Sequence, residues 1–166
     1  MILITGATGQ FGSKTIDHLL KKEINPSSIS ALVRDAEKAS GLKEKGVDVR
    51  VGDYTNHDSL LRAFQGIEQL LLISSNDREA VENRTAHHIN VIKAAIEAGV
   101  KHVIYTSFIR KPNFEHSAIA DFQNSHVQTE EFLKNSGLNY TILRNGIYLE
   151  MLPIFAGEKV AGANPC

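Results

Sequence analysis

The sequence is poor in residues that cross-link a chain or carry a large aromatic surface: among 166 residues there is one cysteine, Cys166, and no tryptophan. A lone cysteine excludes an intrachain disulfide and a thiolate metal cluster, and it fits a reducing compartment, with the cytoplasm as the expectation. Excess charge is lacking too. The 18 Lys and Arg against 19 Asp and Glu leave a formal net charge of −1, too weak a field to gather a polyanion, so no nucleic acid partner is expected. No apolar run approaches the roughly 20 residues of a membrane span. The opening MILITGATG is apolar over four positions before it turns to glycine and threonine, short of a signal-peptide core. What remains, 42% hydrophobic and 22% charged residues, is the composition of one packed globular domain.

Short apolar runs alternate with longer amphipathic segments, the signature of strands and crossover helices around a parallel sheet. Strands are expected at Ile2 to Thr5, Ile29 to Val33, Val47 to Val51, Leu70 to Ile73, His102 to Thr106 and Tyr140 to Leu143. The third alternates Val47, Val49 and Val51 with Asp48 and Arg50, so one face is wet and the strand belongs at a sheet edge; the fourth is apolar throughout, as a central strand is. Helices are expected around Gly12 to Leu20, Ala36 to Glu44, Leu60 to Phe64, Glu82 to Ala98 (with Ile89, Ile92 and Ile96 on one face) and Ile119 to Lys134, with Gly46, Gly66, Gly99 and Gly137 as stops. The fold class is therefore α/β: a Rossmann-type doubly wound parallel sheet of about six strands with helices on both faces. Residues 1–150 form the domain and 151–166 a short tail.

The segment TGATGQFG, Thr5 to Gly12, lies between the first strand and the first helix. Glycines at 6, 9 and 12 allow a tight turn, close approach of backbone to a pyrophosphate and close packing of helix on strand, while helix N-terminal N–H groups meet the phosphates. In that context the loop reads as a dinucleotide site. Arg34 ends the second strand, where NAD-binding chains carry an acidic residue for the ribose 2′-hydroxyl. A guanidinium fork there suits a 2′-phosphate, so NADPH is the expected cofactor, although Asp35 is adjacent.

Together with VRDAEKA from Val33, GDY at Gly52 to Tyr54, LLLISS at Leu70 to Ser75 and LRNGIY at Leu143 to Tyr148, this loop resembles the NmrA-like branch of the atypical short-chain dehydrogenases, within it the quinone oxidoreductase 2 and triphenylmethane reductase group. The resemblance covers about residues 1–150. It implies that Gly6, Thr8, Gly9, Gln10, Phe11 and Gly12 hold the pyrophosphate, that Arg34 reads the 2′-phosphate, that Asp53 lies near adenine and that Ile73 and Ser74 line the ribose. It implies hydride transfer from NADPH to a small quinone-like acceptor bordered by Phe11 and Tyr148.

Ordinary short-chain dehydrogenases carry a YxxxK pair on the helix after strand five; here Phe122 and His126 stand at those positions. Ser107 occupies the usual serine position without its tyrosine. Ser107 and His126 are the catalytic candidates, His126 either orienting substrate and supplying a proton near neutral pH or serving as a satisfied helix histidine. A general acid contributes about 10²–10⁴ in rate, so loss of the tyrosine favours acceptors that are already electrophilic, such as quinones or cationic dyes. No metal site is expected: His87 and His88 are adjacent and project to different helix faces. The family continues well beyond LRNGIY, so the chain reads as a shortened version or one whose site a second subunit completes, with self-association expected of an incompletely covered sheet. A non-catalytic NADP(H)-sensing module is the alternative reading.

Overall fold

The computed structural model describes residues 1–74, 83–110, 116 and 119–146. Six strands, β1 (Ile2–Ile4), β2 (Ile29–Val33), β3 (Asp48–Val51), β4 (Gln69–Leu72), β5 (His102–Phe108) and β6 (Asn139–Asn145), form one sheet in the order β3-β2-β1-β4-β5-β6. All five pairings are parallel. The chain starts in the middle, winds outward to β3, then crosses to β4 and winds the other way, so the switch point lies between β1 and β4. Ligands of doubly wound sheets bind in the crevice at the carboxyl ends of those two strands.

Alternation along the strands creates two cores. Leu3, Leu32, Leu70, Leu72, Val103 and Tyr105 face α3 (His57–Ala63), α4 (Arg84–Glu97) and α5 (Ala120–Lys134), meeting Leu60, Val91, Ile92 and Leu133. Ile4, Ala31, Val33 and Leu71 face the other way, toward Ile16 of α1 (Gln10–Lys21) and Leu42 of α2 (Ser40–Glu44). The doubly wound expectation holds, with helices on both faces. β3 lies at the edge as expected, but its wet face is not the one the alternation marks: Val51 is 54% exposed, whereas Asp48 and Arg50 are half-buried because Arg50 is turned onto Asp48, Ala63 O and Gln65 O.

The structure corrects three local expectations. The segment 36–44 is divided into a 3-10 turn, Glu37–Ala39, and the five-residue α2. In α4 the stripe against the sheet is Arg84, His88, Val91, Ile92 and Ala95, while Ile96 is 42% exposed; packing between β5 and α5 rotates the helix so that small and polar residues, which hydropathy passes over, face inward. β6 extends to Asn145 and is mostly exposed along its length. The tail 151–166 lies outside the described residues.

Candidate functional site

The glycine loop sits at the switch point. Gly6 takes φ +58, a left-handed conformation that favours glycine, and the Gly9 N–H closes the turn onto Gly6 O at 3.0 Å. Gly9 then caps α1 with extended backbone (φ −76, ψ 168); a glycine brings no capping side chain, and the first turn of the helix carries no acidic residue. The first i→i−4 bond runs from Ser13 N–H to Gly9 O, so the helix contributes its positive dipole end to the crevice. Gly12 is buried against the loop: a Cβ there would overlap Gly6 O and approach Ala7 Cα at 2.8 Å. A Cβ on Gly9 would stand 3.2 Å from Gly6 O. The loop is thus a cradle made of backbone, and its shape fits a pyrophosphate. Thr8, Gly9 and Gln10 are exposed on it, and Phe11 is half-buried in the first helical turn.

The floor of the crevice is pinned by hydroxyls that the sequence reading missed. Thr5 donates its N–H to Leu71 O at 3.0 Å and accepts the Ile73 N–H on Oγ1 at 2.9 Å. Thr106 Oγ1 accepts the Ser74 N–H at 2.9 Å. The Tyr54 hydroxyl donates to Ile73 O at 3.4 Å. Thr5, which directly precedes the glycine motif, carries a signal in hindsight; Thr106 does not, because its partner is 32 residues away.

Arg34 and Asp53 come together at the ends of β2 and β3, on the other side of the loop. Thr55, through its hydroxyl (2.6 Å) and N–H (2.8 Å), holds the Asp53 carboxyl below its ordinary value, and the charge of Arg34 acts in the same direction. Asp35, whose position favoured a ribose hydroxyl, accepts the Glu37 N–H at 3.0 Å within its own turn. Arg34, Asp53, Ile73, Ser74 and the glycines therefore all follow the carboxyl ends of the neighbouring strands β1 to β4. Tyr148 lies outside the described residues.

Ser107 and His126 belong to a different neighbourhood, between β5, α4 and α5, and each has an internal partner. Ser107 is 4% exposed and donates to Glu130 Oε1 at 2.6 Å. Glu130, fully buried, also accepts two bonds from Arg144 (3.1 and 2.7 Å) and one from Arg110, with Lys134 Nζ at 3.7 Å. Burial opposes its charge, but the bonds from Arg144 and Ser107 and the charge of Arg110 prevail and pull its carboxyl down to about 2. His126 is 3% exposed, and its Nδ1 lies 2.6 Å from the Tyr105 hydroxyl. Burial, then the nearby Arg84 charge, pushes the imidazole down to about 4, so at neutral pH Tyr105 donates to Nδ1 and the ring proton sits on Nε2. Arg84, 1% exposed, stacks over Phe122 at 4.5 Å and donates to Ser125 Oγ at 3.3 Å. The two catalytic candidates are thus separately anchored side chains. Among the described residues no cluster of His, Cys, Asp and Glu has metal-binding geometry, and no helix is long and apolar enough to cross a membrane.

The chain is similar in sequence and fold to known proteins. Residues 6–153 match the family described as NAD(P)H-binding. Quinone oxidoreductase 2 of Escherichia coli is 45% identical over 150 residues, covering 90% of this chain and 50% of that protein. An NmrA-like family domain-containing oxidoreductase of Aspergillus flavus is 39% identical over 154 residues, 92% of this chain and 50% of that protein. The crystal structure of Citrobacter sp. triphenylmethane reductase complexed with NADP(H) superposes with a TM-score of 0.83 at 41% identity, covering 97% of this chain and 54% of that one. The chain spans about half the length of these relatives. The glycine cradle at the switch point, the parallel sheet of order 3-2-1-4-5-6 and the match over 6–153 agree: this chain belongs to the NAD(P)H-binding family.

Proposed function

We propose that the chain is an NADPH-dependent oxidoreductase that reduces a quinone-like acceptor, or the cofactor-binding portion of one. The observation that carries this reading is the glycine-capped N-terminus of α1 set behind a glycine cradle at the β1/β4 switch point. In it, Gly6, Thr8, Gly9, Gln10, Phe11 and Gly12 hold the pyrophosphate, and Arg34 takes the 2′-phosphate. Asp53 faces the adenine side, Ile73 and Ser74 face the ribose, and Phe11 and Tyr148 border the acceptor. Bound NADPH supplies hydride from nicotinamide C4.

The surroundings of Ser107 and His126 support an acceptor that needs no strong acid. Ser107 gives its proton to an ionised carboxylate and offers a ligand only lone pairs. His126, neutral, offers at most an Nε2–H hydrogen bond that orients substrate. A quinone or a cationic dye takes hydride on those terms, because protonation from water follows the transfer; a simple ketone is disfavoured. NADPH oxidation by a panel of quinones tests this reading, with turnover abolished in Gly9→Val as the expected result. NADPH binding without turnover of any acceptor instead supports the sensing module, a second reading that the burial of both Ser107 and His126 favours.

We place the protein in the cytoplasm on its single cysteine. Exposed Tyr140 and Leu143 on β6 support self-association; gel filtration showing only monomer at high concentration overturns that.

A further inference from the structure

The β3–α3 loop, Gly52 to Asn56, carries Asp53 and Tyr54, and its anchoring is not explained by the glycine cradle. Asn90 of α4 donates Nδ2–H to Tyr54 O at 2.6 Å. That bond fixes the amide, so Asn90 Oδ1 is the atom left facing His57 Nδ1, at 2.9 Å. On the other side of the ring, Glu97 Oε2 lies 3.0 Å from Nε2. Both ring nitrogens thus face acceptors, and only an imidazolium donates from both.

The structure assigns His57 and Asn90 as positioning residues: a proton-held clasp that fixes the β3–α3 loop for the adenosine end of the cofactor. The inference rests on the dinucleotide reading above. Its chain of contacts runs from Glu97 through the His57 imidazolium to Asn90, then to Tyr54 O, while the Tyr54 hydroxyl reaches Ile73 O on the crevice floor. The charges around the ring are consistent with a cation. Glu97 lies on α4 and Asp58 on α3, with Asp53 in the loop; Lys93 opposes them from the same stripe of α4. From β3, Asp48 pairs with Arg50, which is turned to Ala63 O and Gln65 O at the far end of α3. The dipole at the start of α3 disfavours a cation at His57. The Glu97 bond, then the Asn90 bond, raise the imidazole above its ordinary value against the opposing effect of burial.

A group raised in this way holds its proton, and the clasp, below the raised value and loses both as pH climbs through it. The test combines ring ¹⁵N NMR of His57 with calorimetric NADPH titrations of wild type, His57→Gln and Asn90→Asp between pH 6 and 8.5. Taking the wild-type/variant ratio at each pH cancels the titration of the cofactor's own phosphate. We expect His57 to titrate above 6.5. We expect His57→Gln to bind about threefold or more weakly at pH 6, the ratio closing toward one at pH 8.5, within the tenfold per pH unit that one linked proton allows. Asn90→Asp keeps an acceptor for His57 but lacks the donor to Tyr54 O, so it should bind weakly at every pH while His57 stays protonated. A His57 that titrates at or below 6.5, or a ratio constant across the range, overturns the clasp. If wild type binds no NADPH at any pH, the cofactor reading fails instead, and the ring titration still decides whether His57 holds its second proton.

Discussion

The two halves of the sheet are built on different principles. Around β3, β2, β1 and β4 the pyrophosphate end of the candidate site is made of backbone: a glycine turn, a glycine-capped helix end and strand termini pinned by short hydroxyls. Around β5 and β6 the carboxyl ends are held by side chains instead, with Glu130 joining Ser107, Arg110 and Arg144, and Tyr105 joining His126. A backbone site is specified by where side chains are absent, and it tolerates much variation around it. The other half depends on long-range pairs, so a single substitution there should do more damage to the fold and less to cofactor recognition.

The largest effect that separates the halves is expected at Glu130. Glu130→Ala leaves Arg110, Arg144 and Ser107 without their shared buried partner and should cost about 3 kcal/mol, read as a lower urea midpoint. An unchanged midpoint would show that the β5–β6 half does not depend on this hub. Gly12→Ala is next: its Cβ overlaps Gly6 O and forces α1 off the loop, for about 2 kcal/mol. Unlike Glu130→Ala, it should abolish NADPH binding under conditions where circular dichroism still reports a folded chain.

Acid sharpens the contrast further. His126 has its folded value depressed, so between pH 6.5 and about 4 the folded state binds fewer protons than the unfolded chain, and stability falls as pH falls through that window. The slope from this residue is at most about 1.4 kcal/mol per pH unit, and His126→Gln should flatten it. Glu130 is depressed as well, to about 2, so its contribution is lost at lower pH, from the ordinary 4.5 downward. Denaturation midpoints measured from pH 7 to 3 in both variants separate the two windows.

Much of the first half is legible in the sequence because its physics is local. Gly6, Gly9 and Gly12 lie within seven residues, and the step from apolar run to glycine to amphipathic helix marks β1, loop and α1 without reference to the rest of the chain. The edge position of β3 follows in the same way from the alternation of Val47, Val49 and Val51. The second half is illegible for the converse reason. Nothing in the spacing of Glu130 indicates that it is buried beneath two arginines, 20 and 14 residues away. The inward face of α4 is missed because Arg84 and His88, polar by any hydropathy scale, are buried. His57 and Asn90, 33 residues apart, offer no motif.

On the proposed reading the carboxyl ends of β1 and β2 hold NADPH, and Arg34 distinguishes it from NADH. Calorimetric titration of both cofactors into the wild-type chain and Arg34→Ala tests it most directly. NADPH should bind at least about tenfold more tightly than NADH, as a charged hydrogen bond supplies, with the preference erased in the variant and NADH affinity unchanged. Equal affinities in the wild type, or a preference that survives in Arg34→Ala, would contradict it.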